Sequence, residues 1–256
     1  MLDFITIALG FILIALVAGN NLSVCFGGVI ASRVISRRTG VLLTVLGYTS
    51  GLLLQSGFLS NTITLLLPSS SMLVIDVALV ISIAIFIVSQ LKSVPQSLSI
   101  TITAVLVGVD IAMGVAINLD FIAYIAIFWI LMPIICFAFV MALMKALRRD
   151  TIKRNIWTYV SAVKLLLIVS SFFVSFTLGG NTIGLVYNLM PSGSYTTIII
   201  IIAIIFGSVA FNAGPLRKVG NEIIPISCFF DLLKIKRSHT YTKFLNSCNQ
   251  LNGNKS

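Results

Sequence analysis

Seven apolar runs, each close to the length of a bilayer-crossing helix, take up most of this chain and leave it few folds: residues 2–18, 40–58, 72–91, 97–117, 121–144, 156–178 and 195–215. A helix needs about 20 apolar residues to cross a hydrocarbon core about 30 Å thick. Inside that core every backbone N–H and C=O must be bonded within the protein, which helices achieve on their own. Composition excludes a soluble alternative, because 9% charged residues is far below the ~25% of globular domains. The expected fold class is an all-α integral membrane protein with about seven spanning helices, multi-pass in the cell membrane.

A net charge of +10 invites a nucleic-acid reading, but the basic residues sit in short clusters between the runs. Arg33, Arg37 and Arg38 follow the first run, Lys92 follows the third, Lys145, Arg148, Arg149, Lys153 and Arg154 precede the sixth, and Arg217 and Lys218 follow the seventh. The loops at 59–71, 118–120 and 191–194 carry no Lys or Arg. This alternation obeys the positive-inside rule with the amino terminus outside and the carboxyl terminus cytoplasmic. No basic stripe with interleaved aromatics is present, so nucleic acid is not an expected partner. The stretch 2–18 carries Asp3 in place of a basic leader and is expected to be a retained helix.

Two polar motifs interrupt this pattern. Ala18 to Val29 reads AGNNLSVCFGGV and Leu178 to Leu189 reads LGGNTIGLVYNL, so Gly19-Asn20-Asn21 is echoed by Gly180-Asn181-Thr182. Gly is a poor helix former and Asn competes for backbone partners, so a broken helix is expected at each motif. The first motif follows an inward-running helix and the second an outward-running one, which makes the copies inverted. Spacing agrees: Asn20 precedes Gly47 by 27 positions and Asn181 precedes Gly207 by 26. Inverted repeats with broken helices near the midplane are a transporter architecture with substrate bound between the repeats. The organisation expected is a first repeat over 1–120, a fifth helix and basic inside loop over 121–155, a partial second repeat over 156–226 and a polar basic tail over 227–256. The second repeat holds two of these helices where the first, with the fifth helix, holds five.

With these features the chain resembles the inorganic phosphate transporter (PiT) family, whose repeated signature is usually GANDVANA. Ala18-Gly19-Asn20-Asn21-Leu22-Ser23-Val24-Cys25 falls on the first copy and Gly179-Gly180-Asn181-Thr182-Ile183-Gly184-Leu185-Val186 on the second. Pro95-Gln96-Ser97-Leu98-Ser99 resembles the family's PVSTT segment, and Gly214 to Ile226 its basic stretch after the second motif. The resemblance implies a secondary transporter of inorganic phosphate working by alternating access. It also implies that Asn20, Asn21, Ser23, Asn181 and Thr182, with Ser97 and Ser99, bind the substrate. Asn21 and Thr182 stand where the family carries Asp among its cation ligands, and the GNN form is that of its archaeal-type permeases. Amides and hydroxyls suit a tetrahedral oxyanion, whereas the loss of both carboxylates weakens a cation site. The partners implied are inorganic phosphate or a similar oxyanion and the lipid bilayer, with a homo-oligomer of this chain as an option. Sodium or a proton is the coupling ion, and no other cofactor is expected. Two alternatives stand beside this reading: a permease for sulfate or another oxyanion, and an inactive, shortened membrane protein.

Single residues carry the rest. Asp110 lies about twelve residues into the fourth run and is the candidate ion- or proton-coupling carboxyl, since an acid within a span faces a cavity or a partner. Asp76, one turn into the third run, is expected to be solvated at the outer interface, and Lys164 to snorkel inward. Cys25, Cys136, Cys228 and Cys248 have no metal-ligand spacing, and the only histidine, His239, is in the tail. A metal site or a catalytic triad is therefore not expected, and the chain is read as no enzyme.

Overall fold

The computed structural model describes residues 2–31, 34–66, 72–91, 96–114, 118–151, 156–191 and 193–211. These form α1 (Leu2–Ala31), α2 (Arg37–Gln55), α3 (Ser60–Leu66), α4 (Met72–Leu91), α5 (Leu98–Ala112), α6 (Leu119–Thr151), α7 (Ile156–Leu178), α8 (Gly184–Leu189) and α9 (Ser194–Ala210). A 3-10 turn, Ser56–Leu59, links α2 to α3, and a π-helical turn, Gly179–Ile183, joins α7 to α8. No strand occurs among the described residues. Pro95, the stretch 214–226, Cys228, His239, Cys248 and the tail 227–256 lie outside them.

Among the described residues each apolar run falls on a helix, while 115–117 of the fourth run and 212–215 of the seventh lie outside them. Asp3–Ile30, Arg37–Leu59, Met72–Ser89, Leu119–Leu143 and Ser161–Leu189 are long and apolar enough to cross a membrane. The chain thus has the helices of an α-helical membrane protein. About seven spans are expected, and among the described residues five are long enough. Helices α5 and α9 have 15 and 17 residues, roughly 22 and 25 Å at 1.5 Å per residue, short of the ~30 Å hydrocarbon core.

Local chemistry sets several ends. Ser36 Oγ accepts from Thr39 N at 3.2 Å and starts α2, and Asn118 Oδ1 accepts from Phe121 N at 3.1 Å at the start of α6. Gly114, at φ +69°, closes α5 by donating to Ile111 O at 3.1 Å, a left-handed conformation for which glycine has no steric penalty.

A larger correction concerns the first motif. Helix α1 runs without interruption from Leu2 to Ala31, straight through Gly19-Asn20-Asn21. Glycine costs about 1 kcal/mol in a helix, but an opened backbone at membrane depth costs several per unsatisfied group. The missing Cβ is also used: one added at Gly19 would run into Phe211 and lie 2.6 Å from Gly207 O of α9. Gly19 therefore serves close helix approach, not a break. At the second motif the helix departs from α geometry, as the π turn, without ending.

Helix α1 is central, packing most on α9 and then on α4, α7 and α2, while α2 packs most on α7 and the π turn. Glycines form both main contacts. A Cβ on Gly207 would meet the Ala15 backbone, 2.7 Å from its Cα, and Gly19 meets Phe211. On the other side, Gly47 faces Phe176, with its N at 3.2 Å, and Gly51 faces Gly180, with its N at 2.9 Å. In both pairs the contacts climb together along the chain, so α1 runs parallel to α9 and α2 parallel to α7. Such small-residue contacts are how helices associate where lipid is as apolar as leucine. Helix α6 lies at the periphery, with residues 126–142 all exposed.

Candidate substrate site

The substrate residues expected from sequence fall into two places. Asn20, Asn21 and Ser23 lie on α1 where it meets the end of α9. Asn20 and Asn21 are half-buried, and their carboxamides make no hydrogen bond among the described residues. Ser23 is buried and donates to Asn20 O at 2.8 Å, so its proton is spent within its own helix.

Asn181 and Thr182 lie on the π turn. The wider ring of a π turn leaves backbone groups loosely paired, and such bulges recur at functional sites. Thr182 is buried and Asn181 exposed. Ser99, in the first turn of α5, brings its Oγ to 3.5 Å from Thr182 Oγ1. The two residues are 83 positions apart in the chain. At that distance, long against about 2.7–2.8 Å for O–H···O bonds, neither hydroxyl is committed to the other. Neither has a further partner among the described residues. The pair can donate two protons to one oxyanion.

Ser97 is exposed at the N-cap position of α5 and makes no side-chain cap bond. Its carbonyl accepts from Thr101 Oγ1 at 2.9 Å, and Gln96 Nε2 donates to the same Thr101 oxygen. The start of α5 is thus pinned, and Ser99 with it. No hydrogen bond among the described residues joins Asn20 or Asn21 to Asn181, Thr182 or Ser99.

Two residues beside the π turn escaped the sequence reading. The Gln55 side chain, at the end of α2, lies directly against Gly180, where a Cβ would stand 2.5 Å from Gln55 Cβ. Asn188 Nδ2 donates to Ser56 O at 2.8 Å and Gly184 O at 2.7 Å, tying α8 to the end of α2. The available signal was a lone amide, Gln55, near the end of the second apolar run and a further amide, Asn188, inside the second motif.

The other polar residues separate sharply. Asp110 is fully buried, and neither carboxyl oxygen has a hydrogen-bond partner among the described residues. Asp76 is buried, not solvated as expected, and accepts from Thr6 Oγ1 of α1 at 2.5 Å, since α4 packs against α1. Lys164 is exposed on α7. Cys25 lies 3.4 Å from Tyr48 Oη where α1 meets α2, and Cys136 is exposed on α6. An apolar cleft of about 350 Å³ lined by Phe4, Ile7, Ala8, Phe11, Ile12 and Ile199 offers no side-chain donor to an anion. Compared with known proteins, the chain matches no family model, no curated protein and no solved structure.

Proposed function

We propose that this chain is a secondary transporter that moves inorganic phosphate across the membrane with sodium or protons, resembling the PiT family. The observation that carries the reading is the meeting of Ser99 and Thr182. The resemblance selects these residues separately, from two segments far apart in sequence, and their hydroxyls converge to 3.5 Å on a π turn. A hydroxyl pair held by rigid helices is a preorganised donor set for a tetrahedral oxyanion.

An inverted repeat receives support from the glycine contacts. Shifting the first motif onto the second moves Asn20 onto Asn181, and Gly47 moves onto Gly207. The same shifts turn the Ala15–Gly207 contact into Phe176–Gly47 and the Gly19–Phe211 contact into Gly180–Gly51, and all four occur. The parallel pairs α1 with α9 and α2 with α7 agree with alternating crossings whichever side the amino terminus lies on, and loop charge alone favours the outside. Broken helices are not part of this proposal at the first motif.

Uptake of radiolabelled phosphate into proteoliposomes containing only this chain, with excess sulfate as competitor, tests the reading. Wild-type protein accumulates phosphate and sulfate spares it; Asn20→Ala and Asn181→Ala each lose most of the uptake. Undiminished uptake in both variants refutes the assignment, and displacement by sulfate redirects it to a general oxyanion permease.

A further inference from the structure

We infer that Asp110 is the coupling site of this transporter and that the ion it takes is a proton. The inference rests on the transport reading above and adds to it the identity of the driving ion.

Asp110 is fully buried, with both oxygens lacking a partner among the described residues. Buried polar atoms are nearly always bonded, so an orphaned pair requires an explanation. In an apolar helix of a membrane protein a buried ionisable residue marks an ion pathway by default. The usual structural explanation, a salt bridge, finds no cation among the described residues of the elements packed on α5. Among the described residues the elements packed most on α5 are α4, α3 and the π turn. Helix α4 brings one titratable group, Asp76, which already holds the Thr6 hydroxyl, and α3 and the π turn bring none.

The same surroundings choose between ions. A hard metal cation collects several oxygen ligands, typically about six or more for the divalent ions. Among the described residues Asp110 belongs to no group of three acidic, histidine or cysteine side chains, and no hydroxyl or amide reaches its carboxyl oxygens. A proton needs only one carboxylate oxygen. The cycle is the smallest possible: the carboxylate takes up one proton, becomes the neutral acid, and releases the proton on the other side.

The helix that bears this acid also bears the substrate hydroxyl. Ser99, Thr103, Leu106 and Asp110 follow one another at steps of four, three and four, so the first and last differ by only about 20° around the axis, three turns or about 16 Å apart. Ser99 ends this stripe at Thr182. On the opposite side, near Asp110, an atom added at Gly108 would meet nothing within 4 Å, so one flank of α5 is unobstructed. A charge change at one end of α5 therefore has a rigid lever to the substrate pair at the other.

The experiment uses proteoliposomes of the whole chain and two assays of labelled phosphate, accumulation under an imposed pH gradient at equal sodium and exchange with no gradient. One proton per anion and about one pH unit support roughly tenfold accumulation of the transported anion form. Wild type should approach that limit; Asp110→Asn should fall to the level reached without a gradient and keep its exchange rate, and Asp110→Glu should recover part of the accumulation. Accumulation by Asp110→Asn equal to wild type overturns the inference, as does wild-type accumulation that follows sodium and ignores pH. Independently of transport, dicyclohexylcarbodiimide should label Asp110 several-fold more than the exposed Asp120, with labelling falling as pH rises; an unlabelled Asp110 also overturns it. Wild type that neither exchanges nor accumulates phosphate removes the transport reading and the coupling role together, while the labelling still decides whether Asp110 takes a proton.

Discussion

Replacing Gly51 by alanine adds one methyl group where α2 crosses the junction of α7 and the π turn. The new Cβ would lie 2.8 Å from the Phe176 carbonyl carbon, 2.9 Å from Gly180 N and closer still to Phe176 O. Carbon contacts settle near 3.5–4.0 Å, so the helices must part by about 1 Å, and a gap of that size forfeits a quarter to a half of each dispersion contact. Overpacking costs about 1–3 kcal/mol, and the upper end applies because the obstructing atoms are backbone and cannot rotate away. Alanine returns about 1 kcal/mol of helix propensity, leaving a net loss of about 2 kcal/mol. Gly108→Ala is the matched control, since its methyl meets nothing within 4 Å and only the propensity gain of about 1 kcal/mol remains. Unfolding in mixed micelles of dodecyl maltoside and dodecyl sulfate, followed by far-ultraviolet circular dichroism, should separate the variants by about 3 kcal/mol. If Gly51→Ala proves as stable as Gly108→Ala, helix approach through the glycines is not what holds α2 against α7.

Thr6→Val removes the donor to the buried Asp76 carboxylate and should destabilise by about 1.5–3 kcal/mol, as for a hydrogen bond to a charged group. Adding Asp76→Asn should recover part of that loss in the same unfolding assay, and full additivity of the two changes would contradict the bond. Ser99→Ala and Thr182→Val should each raise KM for phosphate uptake and combine non-additively, by about 0.5 kcal/mol or more. Independent effects would mean that the two hydroxyls do not share a ligand.

Some of the candidate site was legible in residues and some was not. Ser99 and Thr182 were selected by motif alone, and the structure places them side by side. Asn20 and Asn21 were selected in the same way, yet α1 carries them on an unbroken helix apart from that pair. The difference lies in what surrounds each glycine. Gly19 is filled by Phe211 and a carbonyl of α9, while Gly180 is crowded by the Gln55 side chain. Nothing in a local window of sequence distinguishes these neighbours, since both belong to distant helices.

The sequence by itself determined that the apolar runs are helical and roughly where the five helices long enough to cross a membrane lie, because a segment in lipid must satisfy its own backbone and hydropathy reports where that obligation applies. It also supplied the charge asymmetry of the loops. Only the tertiary structure decided that Asp110 has no partner among the described residues, that Asp76 is bound to Thr6, and that the second motif widens into a π turn while the first stays α-helical. Those outcomes depend on which helix faces meet. Between helices in lipid that choice turns on the close fit of small side chains from distant parts of the chain, a short-range interaction that no one-dimensional pattern records.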